Sequence, residues 1–308
     1  MSGTDHLARP ARPVQVRILN WRGWDILGDF AANPVALGAA TVFALIALAA
    51  ILAPWITPQD PYDLSQLSIL DARLPPGSES MDGTVHWLGT DGLGRDVYSA
   101  ILYGLRISLS VGATSSLIAL AIGTAVGLLA AYAGGRTDSA LMRLVDLQMS
   151  FPAILIALIL LAILGRGVDK TMIALIAVQW AYYARTVRAS ALVEREREYI
   201  EAARSLRLSH FRIMTRHLLP NCAAPLIVVV TVQIAHAITL EATLSFLGVG
   251  LPETEPSLGL LISNGYQYML SGAYWISIYP GIALLVVLVA INLVGDQLRE
   301  LLNPSHRR

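Results

Sequence analysis

Six stretches of this chain stay mostly apolar for about 20 residues, the length a helix needs to cross a hydrocarbon core about 30 Å thick. They run roughly from Val35 to Ala53, Ile107 to Tyr132, Leu144 to Leu164, Met172 to Ala189, Cys222 to Phe246 and Ile276 to Val294. A backbone surrounded by lipid must satisfy its own hydrogen bonds, which leaves helices or a closed barrel. Barrel strands alternate apolar and polar residues over about 10 positions, and these runs do not. The fourth run is the least apolar, because Gln179, Trp180, Tyr182, Tyr183 and Arg185 make it amphipathic. Hydrophobic residues make up 55% of the 308 and charged residues 14%, with a mean hydropathy of +0.58, well above what a soluble core requires. The expected fold class is an all-α membrane protein with six transmembrane helices.

The 22 basic and 22 acidic residues cancel, so net charge points to no nucleic-acid partner. Their placement is informative. With the N-terminus in the cytoplasm, Arg9, Arg12, Arg17, Arg22, Arg136, Arg143, the run from Arg185 to Arg216, Arg299, Arg307 and Arg308 lie inside. Arg73, Arg95, Arg106, Arg166 and Lys170 lie outside, a split of 17 to 5 that predicts both termini in the cytoplasm. The segment before Val35 is too long and mixed for a cleavable signal, so the first span reads as a permanent anchor.

The expected organisation is therefore a cytoplasmic segment 1–34, a first transmembrane helix 35–53, an outer loop 54–106, a core 107–298 that includes a cytoplasmic helix pair at 192–219, and a cytoplasmic tail 299–308. The outer loops 54–106 and 248–275 hold acidic residues such as Asp60, Asp91, Asp96, Glu253 and Glu255. These read either as a surface for a soluble partner or as a solvated face. Leu74 to Gly83, rich in Pro, Gly and Ser, is the stretch most like a linker.

Several chemistries are absent. A single cysteine, Cys222, allows no internal disulfide and reads as a buried small residue. The histidines show no metal-ligand spacing, so no metal centre is expected. Phosphate-cradling loops end in Lys-Ser or Lys-Thr after a glycine-rich run. The one lysine, Lys170, follows Asp169 with no such run, so ATP hydrolysis is expected from another chain, and this one is not expected to be an enzyme.

Between the fourth and fifth spans lies a charged stretch from Glu194 to Pro220. Ile200, Ala203 and Leu206 recur at helical spacing, as do Phe211, Met214 and Leu218, but the step from 206 to 211 is out of register. Two short helices joined by a turn explain the slip, with Ser209 as N-cap of the second and Pro220 marking the break before the next span. Ala202 and Ala203 permit close approach of another backbone, and Glu201 offers a carboxylate to a partner's arginine or amide. The bland reading is an amphipathic helix lying on anionic lipid.

Glu201-Ala202-Ala203, with Leu219-Pro220 at the far end, resembles the signature of bacterial ABC-importer permeases. More of the chain is similar to the C-type permeases of dipeptide, oligopeptide and nickel importers: the run Leu88 to Val97, which contains Gly89, Thr90, Asp91, Gly94, Arg95 and Asp96; Arg143 with Asp146 and Phe151-Pro152; Glu241 to Gly250; Pro256-Ser257 with Gly259; and Gly295-Asp296, Leu298-Arg299 and Asn303-Pro304. The resemblance covers about residues 25 to 305.

It implies an ABC type I importer permease fold in the bacterial inner membrane, with a cytoplasmic coupling helix pair formed by Glu201, Ala202, Ala203, Arg207, Leu219 and Pro220 that docks on an ATPase. Implied partners are a B-type permease subunit, two ATPases that bind ATP and Mg, a periplasmic or lipid-anchored solute-binding protein, and membrane lipid. The implied cargo is a di- or oligopeptide, with nickel or glutathione as alternatives. The signature's usual glycine falls at position 207, where this chain has Arg207. A left-handed arginine would be strained, so the turn is expected to be built differently or the helices to join more smoothly.

Gln233, His236, Thr239 and Thr243 recur every three or four residues in the fifth span. Polar groups inside a membrane favour a bundle interior or a watery path, so this stripe reads as translocation path or subunit interface, or alternatively as helix–helix hydrogen bonding. Glu241 lies off the stripe and reads as the partner of a neighbouring helix. Gly123 and Gly127 form a G-x-x-x-G pair suited to close packing. An ion-coupled secondary transporter would need matched broken helices and midplane carboxylates; no matched interruption is visible.

Overall fold

The structure, a computed structural model, describes residues 23–302 apart from Tyr62, Leu64, Gln66, Asp82, Glu253 and Pro256. The expectations for residues 1–22 and for Asn303, Pro304, Arg307 and Arg308 lie outside the described residues. In chain order the helices are α1 (Gly23–Ala32), α2 (Pro34–Ile51), α3 (Ala53–Ile56), α4 (Val97–Ala133), α5 (Gly135–Met149), α6 (Ala153–Leu164), α7 (Val168–Arg195), α8 (Glu198–Ser205), α9 (His210–Ile213), a π-helical turn Met214–Leu218, α10 (Leu219–Asn221), α11 (Ala223–Phe246), α12 (Leu258–Tyr266) and α13 (Trp275–Leu302). A small hairpin, β1 (Ser78–Glu79) against β2 (Val85–His86), is antiparallel with Ser78 opposite His86. It marks one end of the bundle, the hairpin end. Helices α8 to α10, with their arginines, mark the other, the basic end.

Among the described residues, four helices are long and apolar enough to cross a membrane: α2, α4, α11 and α13. There are five if α5 and α6 count as one bent span. The expected single span from Leu144 to Leu164 is instead two helices meeting at 87°. The cause is local: Pro152 has no N–H to give and disfavours helical geometry at Phe151 before it, so only Ala153–Leu164 continues as apolar helix. Helix α7 has the length, at 28 residues, but its polar side chains keep it out of that set. Gln179 turns inward, where it accepts a hydrogen bond from Ser116 of α4 at 2.8 Å, while Tyr182 and Arg185 stay exposed.

Helix α4 starts at Val97, well inside the stretch expected as loop. Its 37 residues make a rod about 55 Å long. Asp96 is its N-cap, accepting from the Ser99 N–H at 2.7 Å. Asn33 caps α2 in the same way, with Pro34 at the first helical position, a site that needs no N–H. The Asn33 side chain also donates to Gln297 at 2.7 Å, tying α2 to α13.

Helices α4 and α7 meet along Gly123 and Gly127. A Cβ on Gly123 would stand 2.4 Å from the Trp180 carbonyl oxygen, and one on Gly127 2.5 Å from that of Ala184. Only glycine lets the two backbones come so close. The core comes in separate clusters along the bundle. At the hairpin end Ile101, Leu102, Ile238, Leu258 and Ile276 pack together; Val111, Ala157, Leu175 and Leu244 fill the middle; Ala131, Val187, Ile200, Ile213 and Leu218 close the basic end.

Candidate functional site

The basic end carries the helix pair. Helix α8 ends in a Schellman motif: the Leu208 N–H reaches the Ala203 carbonyl at 3.2 Å and the Arg207 N–H that of Arg204 at 2.9 Å. This closure needs a left-handed residue after the C-cap, and Arg207 supplies it at φ +52°. The expectation of a differently built or smoother turn is thus corrected. The bend is the one a glycine would make, and the arginine takes on its strain. Arg207→Gly is expected to raise stability by about 1 kcal/mol, the cost of the left-handed state for an L-residue, seen as a higher thermal midpoint of the detergent-solubilised chain; Arg207→Val should lower it.

Ser209 caps α9, accepting from the Arg212 N–H at 3.4 Å. The π turn follows, closed by the Leu219 N–H on the Met214 carbonyl. Its wider ring lets Pro220 enter the helix one residue later.

Burial divides the pair. Ile200, Ala203, Ile213, Leu218 and Cys222 pack against Leu128 and Ala131 of α4 and Val187 and Ala191 of α7. Glu201, Ala202, Arg207 and Pro220 are exposed, and Leu219 is half-buried. Leu206 and Phe211, which the spacing placed on the apolar stripes, flank the turn at 75% and 72% exposure. Two large apolar side chains, small Ala202 and the Glu201 carboxylate therefore share the free surface of one rigid hairpin. Two residues that the spacing did not single out brace it. Tyr199 donates to Glu194 at 2.7 Å and accepts from Asn221 at 3.1 Å, and Tyr132 of α4 meets His210. Contacts across 22 and 78 positions leave no periodic trace in a sequence.

The α11 stripe is split. Gln233 is buried and its amide nitrogen has no partner among the described residues. His236 and Thr239 are exposed and Thr243 half-buried. The Thr239 and Thr243 hydroxyls donate to their own helix, to Ala235 at 2.8 Å and Thr239 at 2.7 Å, so the His236 imidazole is the polar group the free face offers. Glu241 points the other way and is fully buried. It accepts from Ser108 of α4 and from Ser245, each at 2.8 Å, and Ser257 at the start of α12 also hydrogen-bonds to it.

At the hairpin end, the run from Gly89 to Asp96 is a buried fastener. The Thr90 hydroxyl donates to the Asp71 carbonyl at 2.5 Å and accepts from the Leu74 N–H at 2.7 Å, and the Thr90 carbonyl accepts from the Trp275 indole at 3.1 Å. Asp91 accepts from the Leu93 and Arg95 N–H groups at 2.8 and 2.9 Å. Burial pushes its carboxyl above the ordinary range, although those donors and the Arg95 charge favour the ionised form. Asp96 adds His86 at 3.0 Å and the Ser99 hydroxyl at 2.6 Å to its cap. Gly94, at φ +79°, passes so near Ser68 that a Cβ would stand 2.1 Å from its carbonyl oxygen. Leu74 to Gly83 is bound into this knot: the Gly77 N–H donates to the His86 carbonyl at 2.9 Å. The linker reading of that stretch is corrected, since hydrogen bonding rather than composition decides it.

Two family models match the chain: the binding-protein-dependent transport system inner membrane component, over residues 123–308, and the N-terminal TM domain of oligopeptide transport permease C, over residues 22–76. A putative peptide transport system permease protein of Brucella suis is 45% identical over 84% of each chain. The di/tripeptide transport system permease of Pseudomonas aeruginosa is 38% identical over 90% of each, and a glutathione transport system permease of Pectobacterium atrosepticum is 38% identical over 87% of this chain and 86% of that one. The solved MetNI methionine ABC transporter, in an inward-facing form, superposes with a TM-score of 0.54 at 21% identity, covering 66% of this chain and 96% of that one; the fold is shared.

Proposed function

Because the chain belongs to the family of binding-protein-dependent transport system inner membrane components, we propose that it is the C-type permease half of an ABC importer for di- or oligopeptides, driven through its basic end. In this reading α8 to α10 face the cytosol, as do both termini, and the hairpin end faces the periplasm. A B-type permease completes the membrane pathway, two ATPases bind ATP and Mg, and a binding protein delivers cargo. No covalent chemistry takes place in this chain. The work is a shift between two arrangements of the spans, and ATP-closed partners must bind one arrangement better than the other.

The observation that carries the proposal is the free face of the coupling hairpin. Glu201, Ala202, Leu206 and Phe211 stand exposed on a segment whose opposite face is packed onto α4 and α7. A soluble domain that grips this face moves the helices beneath it. The Glu201 carboxylate has no hydrogen bond or ion pair among the described residues and is open to an arginine or amide of a partner. The polar face of α11, centred on His236 and Thr239, serves as translocation path or subunit interface. Peptide cargo is supported by the Brucella and Pseudomonas relatives. The Pectobacterium relative supports glutathione, itself a tripeptide, as a second reading.

Glu201→Lys tests the docking. In the assembled complex in proteoliposomes, uptake per ATP hydrolysed should fall by about tenfold, the scale of a lost coupling free energy, with normal insertion of the chain; Glu201→Asp should retain most of it. Undiminished coupled uptake with Glu201→Lys would reject the docking face.

A further inference from the structure

The last turn of α4 is held by three other helices within two residues. The Tyr132 hydroxyl lies 2.6 Å from His210 Nδ1 at the start of α9, and the two rings meet edge to face with centroids 5.5 Å apart. The Arg204 guanidinium, in the last turn of α8, sits 5.7 Å from the centre of the Tyr132 ring, within the range of a cation–π contact. One residue earlier, Arg195 at the end of α7 donates Nη1 to the Ala131 carbonyl at 2.7 Å, occupying an acceptor that the helix end leaves open. Tyr132 therefore touches both members of the coupling pair, one through its ring and the other through its hydroxyl. Beyond it runs an unbroken helix with no proline, ending at the Asp96 cap about 55 Å away.

We propose that Tyr132 is the positioning residue that fixes the α8–α9 pair to α4, so that a displacement of the pair reaches α4 with both coupling helices in step. The inference rests on the docking reading above and adds to it the route by which motion leaves the docking face. A rival route runs through Tyr199, which ties α8 to Glu194 at the end of α7 and to Asn221 in α10. The two differ in consequence: the Tyr199 contacts bind α8 to α7 and α10, whereas those of Tyr132 engage α4, which runs on to the hairpin end.

The test uses the whole complex, with partner permease, ATPases and binding protein, in proteoliposomes that take up labelled trialanine. The quantity read is trialanine gained per ATP hydrolysed. Tyr132→Leu, which removes ring and hydroxyl, is expected to lower the ratio by about fivefold or more, the lower end of a site-to-site coupling. Tyr132→Phe keeps the ring under Arg204, and His210→Ala alters an exposed side chain, so both retain the fold. Each should lower the ratio by less, and together by no more than either alone, the mark of one shared contact.

An unchanged ratio in Tyr132→Leu and in the Tyr132→Phe/His210→Ala pair overturns the proposal, as does a parallel fall of uptake and hydrolysis, which a purely structural role would give. If Tyr132→Leu does not fold, the pair decides. Glu201→Lys separates the two levels: a lower ratio there with unaffected Tyr132 variants rejects Tyr132 as the link and leaves docking intact, while an unchanged ratio in all of them rejects docking as well.

Discussion

A chain carrying both Gly123→Val and Gly127→Val is expected to yield almost no folded protein on extraction into mild detergent. At these positions the obstacle is backbone. A Cβ on Gly123 would meet the Trp180 carbonyl at 2.4 Å and the Tyr183 Cβ at 2.5 Å; one on Gly127 would meet the Ala184 carbonyl at 2.5 Å and the Val187 Cβ at 2.9 Å. No rotamer change relieves such contacts, so α4 and α7 must separate. Overpacking of this kind costs about 1–3 kcal/mol per site, and more where backbone is rigid, against a total stability of about 5–15 kcal/mol. Separation would also break the Ser116–Gln179 hydrogen bond between the two helices. Gly38→Ala is the control. Its Cβ would meet nothing within 4 Å, and alanine is the better helix former by about 1 kcal/mol. Monodisperse yield and thermal midpoint read the difference, and a double variant as stable as the control would refute the account of the packing.

Glu241→Ala is expected to be the most damaging single truncation in α11. It leaves the Ser108 and Ser245 hydroxyls, now bonded at 2.8 Å each, without acceptors in a site closed to water. Each unpaired buried polar group costs about 1–3 kcal/mol, and the cavity left by the side chain adds to this. The damage is not confined to α11, because the carboxylate gathers α4, α11 and the start of α12. Gly259 of α12 already lies so close that a Cβ would stand 2.0 Å from the Ala242 carbonyl oxygen. Glu241→Gln keeps the shape and one acceptor and should cost much less. The ordering Ala, then Gln, then the unsubstituted chain in thermal midpoint is the expected result; equal midpoints for all three would show that the hydroxyl network carries no stability.

The first, second, fifth and sixth apolar spans were legible because length and hydropathy are local properties of a sequence, whereas the third is broken by Pro152 and the fourth is too polar to join them. The helix pair at the basic end was legible through its register slip, and Ser209 caps the helix where that slip placed it. Other features could not be read so directly. The first turns of α4, Val97 to Arg106, have a mixed composition that reads as loop; the signal present was Asp96 as an N-cap residue. The turn at Arg207 was found, but not its hand, since no rule of spacing says when a fold forces a non-glycine residue to a positive φ. The residues from Gly89 to Asp96 were noticed as a motif, yet a buried hydrogen-bonded aspartate and an exposed one are the same letter. The four residues of the α11 stripe were located, but which of them face inward depends on neighbours far away in the chain. Tyr132 illustrates the limit most sharply, for its partners come from two other helices and only the folded chain brings them together.

The fastener at the hairpin end restricts how this permease can move. Through Thr90 it couples the cap of α4 to Trp275, where α13 begins, and through Glu241 the neighbouring stretch of α4 is bound to α11 and α12. Sliding any of these past another would break several buried hydrogen bonds at once, so they act as a single plate. An opening at that face then has its seam between this plate and whatever lies beside it.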